Sequence, residues 1–329
     1  MESRDGPVIF ALGASRPWGE AVAAALGVAL AAHEEREFPD GEHKARPLAS
    51  VRDRDVYVIH SLHGDGAQSV NDKLVRLLFF LGAVRDASAG RVTAVVPYLA
   101  YARKDQKSKS RDPVATRYVA GMFEAVGIDR ILTLDVHNVS AYQNAFRRGA
   151  ENLEAAPLLA ARCAALAAGQ QVTVVSPDAG GIKRAERFRA RLAALTGRPV
   201  AAAFAEKHRS EGAVSGEALV GEIRGRVAIV VDDLIAAGHT IDRAARACVR
   251  EGAARVVAAA THGVFTTEAA AVLRDAPLDR VVVTDTVAPV RDLGRDVEAR
   301  IERLSTAGLF AEAIRRMNAG ESLVALSEG

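Results

Sequence analysis

The amino-acid sequence predicts an α/β fold built as two tandem units, each a mainly parallel sheet flanked by helices. Short, unbroken runs of β-branched apolar residues, such as Val172 to Val175 and Val227 to Val231, suit strands buried on both faces. Longer stretches of helical period stand between such runs, as crossover helices over a parallel sheet require. The alternation starts again after Gly149, which puts the boundary near residue 150 and gives domains over 1–150 and 151–304. The C-terminal helix, 305–320, is expected to pack back on the first domain.

In order, Pro7 to Leu12 reads as a buried strand and Trp18 to Ala32 as an alanine-rich helix. Glu35 to Phe38 is a short extended piece entering a turn at Phe38-Pro-Asp-Gly-Glu42, marked by its Pro and its Asp-Gly pair. Asp55 to His60 is a strand, Val70 to Val84 a helix, and Arg91 to Val96 a strand closed by Pro97. A polar stretch from Tyr101 to Pro113 precedes a helix over Val114 to Val126 and a strand over Arg130 to Leu134. In the second half, helices are expected over Ala156 to Ala168, Ile182 to Leu195 and Gly308 to Met317. Strands are expected over Val172 to Val175, Val200 to Phe204, Val227 to Val231, Val256 to Thr261 and Arg280 to Thr284. Glu206 to Gly221 lacks a regular period and is rich in Gly, Ser, Lys and Arg, so it reads as a mobile loop.

Composition removes several classes. Hydrophobic residues at 49% and charged residues at 26% fit a globular chain with a full core. Lys and Arg number 43 against 41 Asp and Glu, so a net charge of +2 argues for neither nucleic acid nor membrane. The two cysteines, Cys163 and Cys248, lie in helical patterns and fit a reducing, cytoplasmic compartment without disulfides. The uncharged run Ala21 to Ala32 is too short to span a bilayer, and Met1-Glu-Ser-Arg-Asp5 has no apolar signal core.

The most informative stretch is Val227 to Thr240, where an apolar strand meets Asp232 and Asp233, then a small-residue turn, then a helix opening at Thr240. In open α/β sheets ligands bind beyond the carboxyl ends of strands, beside helix N-termini that favour anions. Two acids and such a turn suggest a sugar phosphate: carboxylates for hydroxyls or a metal, backbone N–H groups for the phosphate. The plainer alternative is an ordinary strand–turn–helix with solvated acids at its tip.

Four weaker constellations accompany it. Arg103 to Arg111 holds five basic residues and one acid, a site for a polyphosphate or simply a solvated loop. His137, two residues after Asp135, sits past a strand; a catalytic or metal-linked role competes with a structural one. Asp178-Ala-Gly-Gly181 leaves a strand with two glycines that admit a ligand close to the backbone, or form a plain turn. Lys207 and Arg209, two apart, would stabilise charge on a transferring phosphoryl group if their segment closed over it, and are otherwise solvated. There is no Gly-x-x-x-x-Gly-Lys-Ser/Thr loop, no Gly-x-Gly-x-x-Gly fingerprint, no Cys/His zinc spacing and no His-Glu-x-x-His helix.

Taken in order, the segments Phe38-Pro-Asp-Gly-Glu42, Asn71-Asp-Lys73, Gly90 to Tyr98, Tyr101 to Asp105, Ser110 to Pro113 and Leu134 to His137 resemble those of ribose-phosphate diphosphokinases (phosphoribosyl pyrophosphate synthetases). The second half adds Val175 to Gly181, Glu206 to Arg209, Val231 to Asp233 and Thr284 to Thr286. The resemblance implies two phosphoribosyltransferase-like domains and transfer of the β,γ-diphosphate of Mg-ATP to the 1-hydroxyl of ribose 5-phosphate. It implies ATP and ribose 5-phosphate as ligands, Mg2+ as cofactor, and a homo-oligomer of dimers assembled into a hexamer. By matching position, Phe38, Asp40 and Glu42 would hold adenine across a subunit interface, and Arg103, Lys104 and Arg111 the ATP phosphates. His137 and Asp178 would serve the metal, while Lys207, Arg209 and His137 would be catalytic. Asp178, Asp232, Asp233, Ala236, Ala237, Gly238, His239 and Thr240 would bind ribose 5-phosphate.

One departure stands out. Where the family commonly carries hydroxyl or acidic side chains in the 5-phosphate turn, this chain has Ala236, Ala237 and His239. Each lost neutral hydrogen bond costs on the order of 1 kcal/mol, so weakened ribose 5-phosphate affinity is expected. A non-catalytic family member and a phosphoribosyltransferase are the alternatives; the latter shares the acidic pair but has no use for Phe38 to Glu42 or Tyr101 to Pro113.

Overall fold

The first strand, β1 (Val8–Ala11), is apolar at every position and buried throughout, which only a sheet covered on both faces allows. The computed structural model describes residues 6–210, 213–289 and 291–328, and of 206–210, 213–218 and 327–328 the backbone alone. The chain divides into a unit of Met1–Glu154, Thr286–Ala288 and Ser305–Gly329, and a unit of Ala155–Asp285 and Pro289–Leu304.

In the first unit, β1 is followed by α1 (Arg16–Leu26), the hairpin β2 (His33–Glu37) and β3 (His43–Pro47), β4 (Asp55–Ile59) and α2 (Val70–Asp86). Then come β5 (Arg91–Val96), α3 (Ala115–Ala125), β6 (Arg130–Leu134), α4 (Val139–Ala145) and β7 (Gly149–Leu153). The sheet runs β1-β4-β5-β6-β7 and every pairing in it is parallel. Phe10, Val58, Leu77, Phe80, Val92 and Phe123 fill the core between sheet and helices. At its start α2 carries a reciprocal cap: the Ser69 hydroxyl accepts from Asp72 N–H and the Asp72 carboxylate from Ser69 N–H. Helix α1 stops at Leu26, earlier than the alanine run suggests, because Gly27 turns left-handed at φ 76° and Ala31 pairs with Ile9 instead.

The second unit begins with α5 (Ala156–Ala167), β8 (Val172–Ser176), α6 (Ile182–Thr196), β9 (Ala201–Ser210) and β10 (Ala213–Gly221). It continues through β11 (Val227–Ile235), α7 (His239–Arg250), β12 (Arg255–Gly263), α8 (Ala269–Asp275), β13 (Arg280–Thr284), α9 (Arg295–Glu298) and β14 (Ile301–Leu304). The sheet order is β10-β9-β8-β11-β12-β13-β14, parallel except for the β9–β10 pair. Val230, Ile241, Ala244, Ala258, Phe265 and Val281 belong to its core. The last segment, α10 (Ala307–Ala319) and α11 (Val324–Glu328), belongs to the first unit, where the Phe310 ring meets Trp18 edge-on at 4.9 Å.

Two expectations are corrected. The described residues of Glu206 to Gly221 are not irregular loop: Glu206 to Ser210 continue β9 and Ala213 to Gly221 form β10, antiparallel, with a shift in register between Val214 and Glu217. Beyond Phe204 this ribbon no longer pairs with β8, so β9 and β10 hold each other by their own antiparallel bonds. The strand expected to end at Val231 runs on to Ile235, because β12 keeps pairing with it, Asp232 opposite Ala260 and Ile235 opposite Gly263.

Candidate functional site

In the second unit the candidate residues gather where β11 outlasts its neighbour. β8 pairs with β11 only as far as Val175 opposite Val230, so Asp232 and Asp233 lie on a strand with one flank no longer paired to β8. Alternation along the strand separates them: Asp233 is 3% exposed, whereas Asp232 is half-buried. The Asp233 N–H donates to Asp232 Oδ1 at 2.9 Å. Arg184, in the first turn of α6, lies 3.0 Å from Asp232 Oδ1 and 3.4 Å from Asp233 Oδ1. Burial and the neighbouring Asp233 carboxyl push Asp232 up to about 7, against the pull of Arg184.

After Ile235 comes Ala236, whose carbonyl accepts from Thr266 N–H at 3.1 Å, then Ala237 and Gly238. Gly238 turns left-handed at φ 91°, and α7 starts at His239, one residue before the expected opening at Thr240. Among the described residues no side chain caps this helix, so its first N–H groups, which have no intrahelical acceptor, form a start that suits an anion. His239 Nε2 sits 3.4 Å from Glu268 Oε2, both exposed. Asp178 follows β8 and caps a short 3-10 helix, its Oδ1 accepting from Gly181 N–H at 3.0 Å.

In the first unit, Phe38 to Glu42 form the tip of the β2–β3 hairpin. Phe38 N–H donates to Glu42 C=O at 2.8 Å, and Asp40 Oδ1 accepts from Glu42 N–H at 3.1 Å. Asp40 and Glu42 are exposed, and the Arg36 guanidinium lies 5.1 Å from the centre of the Phe38 ring. The basic loop after β5 exposes Arg103 and Arg111 and folds on Asp112, which takes Lys104 Nζ at 2.8 Å. That bond and the Lys109 N–H hold the Asp112 carboxyl below its usual range. Asn138 Nδ2 donates to Asp105 at 2.7 Å while its Oδ1 caps α4, so the exposed His137 is tied beside the basic loop. Tyr101, Arg111 and Asp135 hold positive φ values of 63°, 69° and 41°, backbone strain of the kind that collects at functional loops.

The structure thus joins the acidic pair to the α7 turn through one strand, and the His137 loop to the basic loop through the Asn138–Asp105 hydrogen bond. Among the described residues no bond joins the hairpin tip to the basic loop. The side chains of Lys207 and Arg209 lie outside the described residues; their backbone is extended, opposite Glu217 and Val214. Sequence reasoning missed Arg184, Glu268, Asp105, Asp112 and Asn138. Arg184 carried a signal: a cation in the first turn of a helix opposes the dipole, so it needs an acidic partner. Among the described residues no helix is long and apolar enough to cross a membrane, and no three His, Cys, Asp or Glu side chains gather as a metal cage.

Parallel sheets with acids and an uncapped helix N-terminus at a strand's carboxyl end define an α/β protein of the class that handles phosphorylated ligands. Residues 7–127 match the N-terminal domain of ribose phosphate pyrophosphokinase, and residues 214–327 the phosphoribosyl synthetase-associated domain. The ribose-phosphate pyrophosphokinase of Granulibacter bethesdensis is 36% identical over 319 residues, 97% of this chain and 99% of that one. That of Caldanaerobacter subterraneus is 38% identical over 303 residues, 92% of each chain. The crystal structure of phosphoribosylpyrophosphate synthetase from Mycobacterium smegmatis superposes with a TM-score of 0.86 at 32% identity, over 96% of this chain and 99% of that one. The chain belongs to the ribose-phosphate pyrophosphokinase family.

Proposed function

We propose that this chain is a ribose-phosphate diphosphokinase, passing the β,γ-diphosphate of ATP to the 1-hydroxyl of ribose 5-phosphate to give 5-phosphoribosyl 1-diphosphate and AMP. The observation that carries the reading is the run from the Arg184-linked acids to the uncapped start of α7, a fit to a sugar that ends in phosphate. Family membership over nearly the whole chain supports it.

In this reading Asp232 and Asp233 accept hydrogen bonds from the ribose hydroxyls. Ala236 to Thr240 cradle the 5-phosphate with backbone N–H groups and the Thr240 hydroxyl. Phe38, Asp40 and Glu42 recognise adenine, and Arg103, Lys104 and Arg111 neutralise the ATP phosphates. The attacking group is the sugar's own hydroxyl, so the protein needs no nucleophile; it aligns the reactants and cancels charge. Lys207 and Arg209 supply cations where charge develops on the phosphoryl group being transferred.

Magnesium fits the donors available. It prefers oxygen and completes its shell with water and substrate phosphates, so a single carboxylate suffices and no three-residue cage is needed. Asp178 has Oδ1 occupied by Gly181 and no bond at Oδ2 among the described residues, and His137 is exposed on its loop. Asp178 in the second unit and His137 in the first are each placed to meet such an ion, which when bound would offset phosphate charge. Phe79 and Tyr118 at 61% and Met122 at 48% exposure supply apolar surface on the first unit for assembly into dimers and a homohexamer in the cytoplasm.

Phosphorus NMR of the products tests the reaction type. With Mg-ATP and ribose 5-phosphate, AMP and a sugar 1-diphosphate should grow together; ADP and a sugar bisphosphate would contradict diphosphate transfer.

A further inference from the structure

We propose that Arg184 is a positioning residue for substrate: from the first turn of α6 its guanidinium holds Asp232 and Asp233 as a fixed pair of acceptors for the sugar hydroxyls. The inference rests on the diphosphokinase reading above and names the residue that readies its sugar site.

The geometry is specific. A single nitrogen, Arg184 Nη1, reaches both carboxylates, at 3.0 Å and 3.4 Å. The Arg184 side chain is 24% exposed, and those of Asp232 and Asp233 18% and 5%, so the contact is poorly screened by water. The Asp233 N–H pins the same Asp232 Oδ1 that Arg184 bonds, which fixes that carboxylate from two sides. On the β12 side the residue opposite Asp232 is Ala260, and His262 stands opposite Leu234.

Two adjacent carboxylates in a part-buried strand repel each other, and one then tends to take up a proton. A protonated carboxyl turns an acceptor into a donor, which a hydroxyl-binding site cannot use equally well. Arg184 opposes that change. Its place is otherwise unfavourable, since the start of a helix repels cations. Lysine at 184 would keep the charge but lose the planar fork that orients two acids at once.

The test compares wild type with R184Q, R184K, D232N and R184Q/D232N, each checked by thermal melting for folding. With saturating Mg-ATP, R184Q should raise KM for ribose 5-phosphate about tenfold with kcat within about threefold, and R184K should recover part of the loss. In the D232N background the R184Q penalty should largely vanish, since the two residues act as a unit. An unchanged KM in R184Q, or a full penalty added on top of D232N, would overturn the proposal. Titration calorimetry with ribose 5-phosphate separates the two readings. Wild type that binds the sugar phosphate without releasing AMP overturns the activity alone; R184Q must still bind about tenfold more weakly, and equal affinities overturn the role of Arg184. Wild type that does not bind overturns both.

Discussion

Asp232 is worse for folding than a neutral residue would be at the same place. Burial and Asp233 disfavour the charge and push its carboxyl up to about 7 in the folded chain, from the ordinary aspartate value of 3.8. Between those values the native state holds more proton than the unfolded one, so this group's contribution to stability falls as pH rises. Asp232→Asn, which never ionises, should therefore melt a few degrees higher than wild type at pH 8, with the gain shrinking toward pH 5. A difference that stayed constant across that range would contradict a protonation origin. A pair kept against stability is what a binding site looks like.

The 5-phosphate turn makes a second residue-scale prediction. Ala236 and Ala237 give no side-chain donor, and Glu268 places a carboxylate 3.4 Å from His239 at the turn. Ala236→Ser with Ala237→Thr should lower KM for ribose 5-phosphate roughly five- to tenfold, at about 0.5–0.7 kcal/mol per restored bond. Glu268→Gln should move KM in the same direction, and unchanged KM values in both would refute this role for the turn. The acids, the glycines and the histidines were legible in the sequence because chemistry announced them. Arg184 and Glu268 were not, because each lies tens of residues from its partner and reads locally as one more charge on a helix.

At the scale of elements, what could be read were strands sealed on both faces: β4, β5, β6 and β13 lie where unbroken apolar runs put them. What could not be read were ribbons that cover little core. After His33, every residue of β2 is charged, and its pairing with His43–Pro47 rests on backbone bonds and the surface ion pair of Arg46 with Glu34. The β9–β10 ribbon runs past Phe204 without a β8 partner, held by its own antiparallel pairing. The C-terminal segment was visible as a helix, and its anchoring follows from packing. Phe310 is fully buried against Trp18, and Asn318 Nδ2 donates to Asp55 at 2.9 Å. Phe310→Ala should cost about 3–5 kcal/mol in urea unfolding. Trp18, the single tryptophan, should report the loosening as a red-shifted emission. A cost under about 1 kcal/mol would mean that this contact does not anchor the segment.

At the scale of the molecule, two parallel sheets each set chemistry-bearing loops at the carboxyl ends of their strands. The first unit carries the basic loop and His137; the second carries the acids, Asp178 and the α7 turn. In the proposed reading the first takes the polyphosphate and the second the sugar phosphate, and the segments matching the family lie in both units. The most direct test is AMP release from Mg-ATP, measured with and without ribose 5-phosphate, in wild type and in Lys207→Ala. AMP should form only when the sugar phosphate is present, and the variant should be at least about a hundredfold slower. No AMP from wild-type protein, or AMP that forms equally well without ribose 5-phosphate, would contradict the assignment.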